Sequence, residues 1–566
     1  MQLISPSQFR QLLEFRRDVV NIRLEVSRPQ EVSDPPRVAP LPIWPVLTWL
    51  GVAVGALLRF IHITRESLWF DEGYTAWMIT NPAKEIVRLV RADTAPPLYY
   101  VCLHAWTALF GHSELGIRSL SAVSSVLTLV ITVSLAKRFL RAPIAVAAVV
   151  WALALGFYQQ FYAQEARFYA LMAFLTVAML QCLQKHLAAT HRWWLIPLTL
   201  AVAASLYTHN MMMPYVAALA PVWLVLPSVH SLKRRLIDGA IVAAAAGILY
   251  APWAITSLPA QLAFVHEGFW LDHLSPGAVF DLAIWLISVP ANWFWVNLFD
   301  VAHVYLHPGF WPGYLGCAIF IAMMALALGF QKGADQKDAL GLFLFVLLPP
   351  ALVLVHSLIS TPLLMNKVFL GSAAAMPLLL FQPLRMRLNR PTRNAARLAT
   401  AIVLLFCVGT LANNFANDHK EDWRGAARYV LGLPPRHRLI VFLADDSQLP
   451  FDYYHGPYRS DEDRTGSPAD FFDRNPPRAM LRVLKPEDLQ HLESVINSTN
   501  YDEILLVESH QQYNDPLNLT LKYLLGRFPN PAREDLYDVS VWSFQTNKTA
   551  YAVFNLMKES LMGNEY

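Results

Sequence analysis

Eleven stretches of this chain are apolar for long enough to cross a bilayer, some of them only just: 41–62, 117–136, 142–158, 166–185, 193–208, 211–229, 237–257, 311–329, 338–357, 363–383 and 398–415. A series of this kind reads as a polytopic α-helical membrane protein. Two further runs are ambiguous. The run at 97–111 is brief and begins at Pro96-Pro97, while 280–300 carries Pro290, Asn292 and Asn297 among its aromatic residues. Only 15% of the residues are charged, against roughly 25% in a soluble domain, so composition agrees with the pattern.

Short basic connections set the parity of the crossings, because Lys/Arg-rich loops stay on the cytoplasmic side. Here they are Lys137-Arg138 with Arg141, Lys185 with Arg192, Lys233-Arg234-Arg235, and Arg385, Arg387, Arg390, Arg393 and Arg397. All of them fall inside if the two ambiguous runs lie along, or dip into, the outer interface. That gives 11 transmembrane helices with an inside N-terminus and an outside C-terminal domain. Letting both runs cross gives 13 and the same ends, but moves three of the basic loops outside. Residues 1–40, amphipathic at 9–20 and proline-bearing at 29–42, read as a cytoplasmic lead-in without a signal peptide. Residues 41–415 read as the transmembrane domain, with an outer loop at 63–96. Cys102, Cys182, Cys317 and Cys407 fall in or beside apolar runs and read as core residues.

The charge balance reverses near residue 416, with 29 Lys/Arg against 19 Asp/Glu before it and 16 against 23 after it. Residues 416–566 therefore read as a second domain in different surroundings. An amphipathic helix is expected from 420 to 430 with Asp422 as its cap. Strands are expected at 439–444, 504–507, 539–544 and 550–554, and helices at 486–497 and 516–526. Together these predict a small soluble α/β domain, with a long loop at 452–477. Asn497-Ser498-Thr499, Asn518-Leu519-Thr520 and Asn547-Lys548-Thr549 fit the glycosylation acceptor pattern, which is short enough to arise by chance. No nucleotide-binding loop, dinucleotide fingerprint, HExxH, CxxC cluster or nucleic-acid motif is present.

The stretch 67–74 sets Asp71 and Glu72 between Trp69 and Tyr74, where the first span leaves hydrocarbon for water. Ionisable groups kept at a membrane edge beside a cavity are candidates for chemistry. The plainer reading is an interfacial anchor, since Trp and Tyr collect at membrane boundaries in any protein. Under the 11-span count, Gln164-Glu165-Ala166-Arg167, His209-Asn210 and Asn366-Lys367 reach the same face. Helix ends are polar in any bundle, yet a converging set of this kind usually serves a ligand.

These residues carry a family resemblance. Trp69-Phe70-Asp71-Glu72, Asp93-Thr94-Ala95-Pro96-Pro97-Leu98-Tyr99-Tyr100, Gly111-His112-Ser113-Glu114-Leu115-Gly116-Ile117-Arg118, Gln164-Glu165-Ala166-Arg167-Phe168-Tyr169 and Glu421-Asp422-Trp423-Arg424 resemble the polytopic glycosyltransferases of the C-type fold. Within that superfamily the chain is most similar to the bacterial branch related to protein O-mannosyltransferases, lipid A aminoarabinose transferases and rhizobial lipopolysaccharide sugar transferases. The resemblance implies transfer of a sugar from a polyprenyl-phosphate donor to a lipid, glycan or protein acceptor at the outer face of a bacterial inner membrane. It also implies that Asp71 is the base for the acceptor hydroxyl. Relatives commonly have His before Pro-Pro where this chain has Asp93-Thr94-Ala95, and some have Arg-Tyr where it offers Asn366-Lys367.

Such a transfer needs a carboxylate for the acceptor proton, cations for the departing phosphate and a groove for the lipid. The expected catalytic residues are Asp71 and Glu72, and the expected phosphate ligands are Arg167, Lys367 and His209. Asp93, Glu165, Tyr169 and Tyr100 are expected to support the site, and Trp270, Asp272 and His273 to contact the acceptor. Direct displacement with inversion is the simplest outcome. A divalent cation is left open, with Glu72 and Glu165 as candidate ligands. The rival reading is a lipid transporter or flippase without covalent chemistry, which would place its charges near midplane, often in repeated halves. A third is a membrane scaffold with an exposed interaction domain.

Overall fold

The computed structural model describes residues 43–93, 95–268, 311–443, 447–457, 459–464, 489–511 and 515–546. Residues 1–46 form a unit apart from 47–566, and of it only the first turn of the first helix is described. In chain order the helices are α1 (Ile43–Phe60), α2 (Phe70–Met78), α3 (Ala83–Leu89), α4 (Leu98–Phe110), α5 (Glu114–Phe139), α6 (Pro143–Leu155), α7 (Phe157–Ala163) and α8 (Tyr169–Ala188). They continue with α9 (Leu195–Thr208), α10 (Met213–Val225), α11 (Leu232–Thr256), α12 (Leu258–Gly268), α13 (Trp311–Gly329), α14 (Gly333–Ile359), α15 (Leu370–Leu380) and α16 (Arg390–Ala416).

All eleven apolar runs are therefore helical. Among the described residues, seven helical segments are long and apolar enough to cross a membrane: α1, α5, α8, α11, α14, α16 and the Lys367–Arg385 segment around α15. The pair α6 and α7 makes an eighth if taken as one span, bent by 50°. The remaining runs are shorter apolar helices: α9, Asn210–Val225 and Ala318–Gly329 of α13. The ambiguous run at 97–111 is α4, whose 13 residues reach about 20 Å against a hydrocarbon core of about 30 Å. The run at 280–300 lies outside the described residues.

Helix α5 defines the two ends of the bundle. Arg118, near its start, reaches Glu72, whereas Arg138 pairs with the buried Asp338 of α14 at 2.9 Å. The two arginines are separated by about 30 Å of helix. At the Arg138 end, Arg385 donates to the Phe139 carbonyl at 2.7 Å. A second buried aspartate, Asp238 of α11, holds Arg192 at 2.8 Å and approaches His186 at 3.2 Å. Leu226 ties the two groups together: it packs on Gly341 of α14 while its carbonyl accepts from Arg235 at 3.1 Å. Members of all the basic loops thus gather at one end of the bundle, anchored on two buried carboxylates.

The C-terminal domain comprises α17 (Trp423–Gly432), β1 (Arg438–Leu443), α18 (Gln448–His455), β2 (Glu462–Arg464), α19 (Gln490–Ser498), β3 (Glu503–Glu508), α20 (Leu519–Arg527), β4 (Ala532–Leu536) and β5 (Val539–Gln545). The sheet order is β2-β1-β3-β5-β4. β1 runs parallel to both β2 and β3, and β5 runs antiparallel to β3 and β4. Alternation along the central strands splits the core into two layers. Leu439, Val441, Ile504 and Leu506 pack with Leu492, Ile496 and Leu524, while Ile440, Phe442, Leu505 and Val507 pack with Trp423, Ala427 and Val430. β1, β3 and β5 follow the expected strands closely. β4 is an exposed, charge-bearing edge, and α18 and β2 begin inside or beside the stretch expected to be loop. The strand expected at 550–554 lies outside the described residues.

α18 docks the soluble domain onto α2. A Cβ at Gly73 would lie 2.5 Å from the Pro450 nitrogen and 2.6 Å from its Cα, so the close approach exists only because residue 73 has no side chain. Gly73→Ala is expected to destabilise the protein by about 1–3 kcal/mol through overpacking. Thermal unfolding in detergent reads this, with Gly409→Ala, where a Cβ meets nothing within 4 Å, expected to be neutral or slightly stabilising.

Candidate active site

The site is assembled by one buried arginine. Arg118 uses all five of its N–H groups: Nη1 donates to the carbonyls of Ile63 and Glu66 at 2.8 Å each, Nη2 to that of Ser67 at 2.8 Å, and Nε and Nη2 to Glu72 at 2.7 and 2.5 Å. It thereby folds the loop between α1 and α2 and fixes the first turn of α2. Glu72 is fully buried and also accepts from the Ala166 N–H at 2.7 Å and from Lys420 Nζ at 3.0 Å. Burial alone would raise its pKa, but Arg118, Lys420 and these hydrogen bonds outweigh it and hold it down to about 2.

Asp71 precedes Glu72 and so points about 100° around the helix from it. Its side chain keeps 20% exposure. Its Oδ2 lies 3.4 Å from Lys367 Nζ and 3.8 Å from Arg167 Nε. Burial raises the Asp71 pKa, yet the charges of Arg167 and Lys367 bring the net value below that of an ordinary aspartate. Adjacent carboxylates thus have separate surroundings: Glu72 is saturated by internal donors, whereas Asp71 faces two cations at the edge of the bundle.

Aromatic rings hold those cations. Lys367 Nζ lies 5.8 Å from the Trp69 ring and 5.6 Å from that of Tyr169. The Arg167 guanidinium stacks at 4.9 Å from Phe168, and Nη1 donates to Tyr100 Oη at 3.2 Å. Tyr74 donates to Asp93 at 3.1 Å and sits 6.0 Å from the Arg167 guanidinium, which connects Asp93 to the cluster through a ring. The structure therefore brings together Asp71, Arg167, Lys367, Tyr100 and Tyr169, with Asp93 one residue removed.

Three expectations need amendment. His209 packs 4.4 Å from Phe168, and its Nδ1 accepts the Met211 N–H at 3.0 Å. A nitrogen accepting that bond carries no proton, so the ring is neutral and His209 is not a third cation. Glu72 has no oxygen to spare for a metal or a substrate, since its four accepted hydrogen bonds use its acceptor sites. Glu165 is 1% exposed, and neither of its carboxyl oxygens has a hydrogen-bond partner among the described residues. Trp270, Asp272 and His273 lie outside the described residues. No group of three or more His, Cys, Asp or Glu side chains among the described residues is arranged to hold a metal ion.

Three contributors carried no expected role: Arg118, Lys420 and Glu421. Lys420 reaches from the start of the C-terminal domain to Glu72 and to the Gln164 carbonyl, 3.0 Å each. Glu421 accepts the Phe70 N–H at 2.9 Å and Trp423 Nε1 at 2.7 Å, and its carbonyl accepts from Ser67. Trp69, the N-cap of α2, offers no side-chain bond, so Glu421 supplies the anionic cap that this helix start favours. Arg118 was visible in the sequence as a charge entering an apolar run, the kind of position that marks a site.

Replacing Glu72 with Gln leaves Arg118 and Lys420 buried without their counter-charge, and should cost about 3–5 kcal/mol. The wild-type carboxylate, with a folded pKa of about 2 against about 4.3 unfolded, contributes stability above pH 4.3 that is lost as pH falls toward 2. Unfolding midpoints measured across that range should converge for wild type and Glu72→Gln.

Comparison with known proteins agrees with this architecture. The family model described as dolichyl-phosphate-mannose-protein mannosyltransferase matches residues 94–255. No curated protein matches the chain by sequence. Among solved structures, ArnT from Cupriavidus metallidurans in the apo state is similar over 89% of this chain and 98% of its own, with TM-score 0.53 and 15% identity. The same protein bound to undecaprenyl phosphate is similar over 88% and 98%, with TM-score 0.51 and 14% identity. The chain is thus a polytopic α-helical membrane protein of the C-type glycosyltransferase fold, with a soluble C-terminal domain built on a mixed β-sheet.

Proposed function

We propose that this protein is a membrane glycosyltransferase that moves a sugar from a polyprenyl-phosphate donor to a lipid, glycan or protein acceptor, with inversion. The observation that carries this reading is Asp71, an accessible carboxylate at the bundle edge held between Lys367 and Arg167. The fold similarity to ArnT, solved with undecaprenyl phosphate bound, supports a donor of that chemistry. The basic cluster at the opposite end of the bundle supports an extracytoplasmic site in a bacterial inner membrane, with a cytoplasmic N-terminus.

The chemistry follows from charge. Arg167 and Lys367 pair with Asp71 and depress its basicity. A donor phosphate takes those cations for itself, so Asp71 becomes a stronger base when the donor is in place. Asp71 then removes the proton of the acceptor hydroxyl, whose oxygen attacks the anomeric carbon from the face opposite the phosphate. The bond from that carbon to the phosphate oxygen breaks, its electron pair leaves on the polyprenyl phosphate, and the cations stabilise the growing charge. Glu72 acts indirectly, by fixing α2 through Arg118.

The transporter reading expects charges near midplane, whereas these lie at one end of α5. Transfer of labelled sugar from native polyprenyl-linked donors, measured in membranes carrying the full protein, tests the assignment. Asp71→Asn should lower transfer by about 10²–10⁴-fold with donor binding retained. Lys367→Met should instead weaken donor binding by about tenfold or more. Unchanged transfer by Asp71→Asn removes its role as base, and lipid translocation without a glycosyl product favours the transporter.

A further inference from the structure

The transfer just described does not use Glu165. This residue follows the bend after α7, and its own carbonyl accepts the Arg167 N–H at 2.8 Å. Its chain neighbours Gln164, Ala166 and Arg167 touch two ion clusters of equal composition. In one, Glu72 is paired with Arg118 and Lys420, and in the other Asp71 is paired with Arg167 and Lys367. Among the described residues, the charged groups that act most strongly on its carboxyl are Lys420, Glu72, Lys367 and Asp71, and Tyr99, Tyr158, Tyr162 and Tyr169 lie near enough to feel its charge. A buried carboxyl without a hydrogen bond is costly in its charged form, so its retention asks for a use.

The change of charge during transfer supplies one. Each cluster pairs two cations with one carboxylate, and Asp93, Glu114 and Glu66 add anions around Arg167, Arg118 and Lys420. A donor phosphodiester brings one negative charge to this set. The product is a phosphate monoester whose full charge is two, so turnover adds one negative charge beside Glu165, which a proton on that carboxyl offsets. The acceptor releases one proton in the same event; Asp71 takes it first and Glu165 takes it over, so Asp71 ends as the carboxylate it began as. The balance is acceptor hydroxyl, donor phosphodiester monoanion and Glu165 carboxylate giving glycosylated acceptor, polyprenyl phosphate dianion and Glu165 carboxylic acid. One bond to the anomeric carbon breaks, one forms, and total charge is conserved.

We propose that Glu165 stores the reaction's proton: it is ionised while the phosphodiester donor occupies the site and protonated while the phosphomonoester product does. This rests on the donor-phosphate reading above and adds the residue that keeps the site's net charge constant through turnover. Burial raises the Glu165 pKa to about 7, with Lys420 and Lys367 opposing and Glu72 and Asp71 reinforcing. The group is therefore poised to change state when a nearby ligand gains one charge.

The test is calorimetric binding of a short-chain isoprenyl monophosphate to the full-length protein in detergent at pH 8, where the ligand, with a second pKa of about 6, is already a dianion. Titrations in two buffers of different ionisation enthalpy give the number of protons taken up. Wild type should take up close to one proton per ligand, and its affinity should fall about tenfold per pH unit above neutrality. Glu165→Gln should take up none, and its affinity should be flat over the same range. Infrared difference spectra of the wild type alone supply a second readout, because a protonated carboxyl band must appear on ligand addition. Equal proton uptake in wild type and variant, or no such band, overturns the inference while leaving the donor reading intact. Failure of the ligand to bind either protein overturns both.

Discussion

The bidentate pairing of Arg118 with Glu72 is the contact on which the rest of the site depends. One guanidinium, buried at the start of a long helix, gathers three carbonyls of the preceding loop and both oxygens of one carboxylate. Every donor is satisfied, which is the condition under which a buried charge specifies geometry instead of disrupting it. With Glu72 fixed, its neighbour Asp71 has one direction left, and that direction leads to Lys367 and Arg167. Two adjacent acids thus differ in kind: one is a buried strut, and the other faces two cations and keeps part of its surface exposed.

Much of this was legible in the sequence, for physical reasons that can be named. Apolar runs of about 20 residues can do little else in a bilayer but form helices, and each expected run is helical. The central strands of the soluble domain were equally clear, since β1 and β3 are buried on both faces and are apolar throughout apart from their end residues Arg438, Glu503 and Glu508. Edges were harder. β4 reads Ala-Arg-Glu-Asp-Leu, a charged strand made by pairing with β5 and not by its own burial. Such charge protects a sheet edge and hides it from pattern reading.

The division of roles between Asp71 and Glu72 was not legible, because it is set by residues far away in the chain. Arg118 and Lys420 choose Glu72, while Lys367 and Arg167 choose Asp71. The state of His209 likewise depends on a backbone N–H two residues later, a detail of the turn that residue types alone do not determine. Sequence places the acids just after the first apolar run; long-range pairing decides which of them is saturated by internal donors and which keeps an exposed face.

The cap on α2 has a consequence for biosynthesis. Glu421 and Lys420, which secure the helix bearing Asp71, emerge from the ribosome some 350 residues after it. A chain that has inserted its membrane helices but not yet folded its last domain carries the carboxylate on a helix without its anionic cap or its second buried cation. The geometry around Asp71 is therefore complete only once the segment carrying Lys420 and Glu421 has been made and has folded onto this helix.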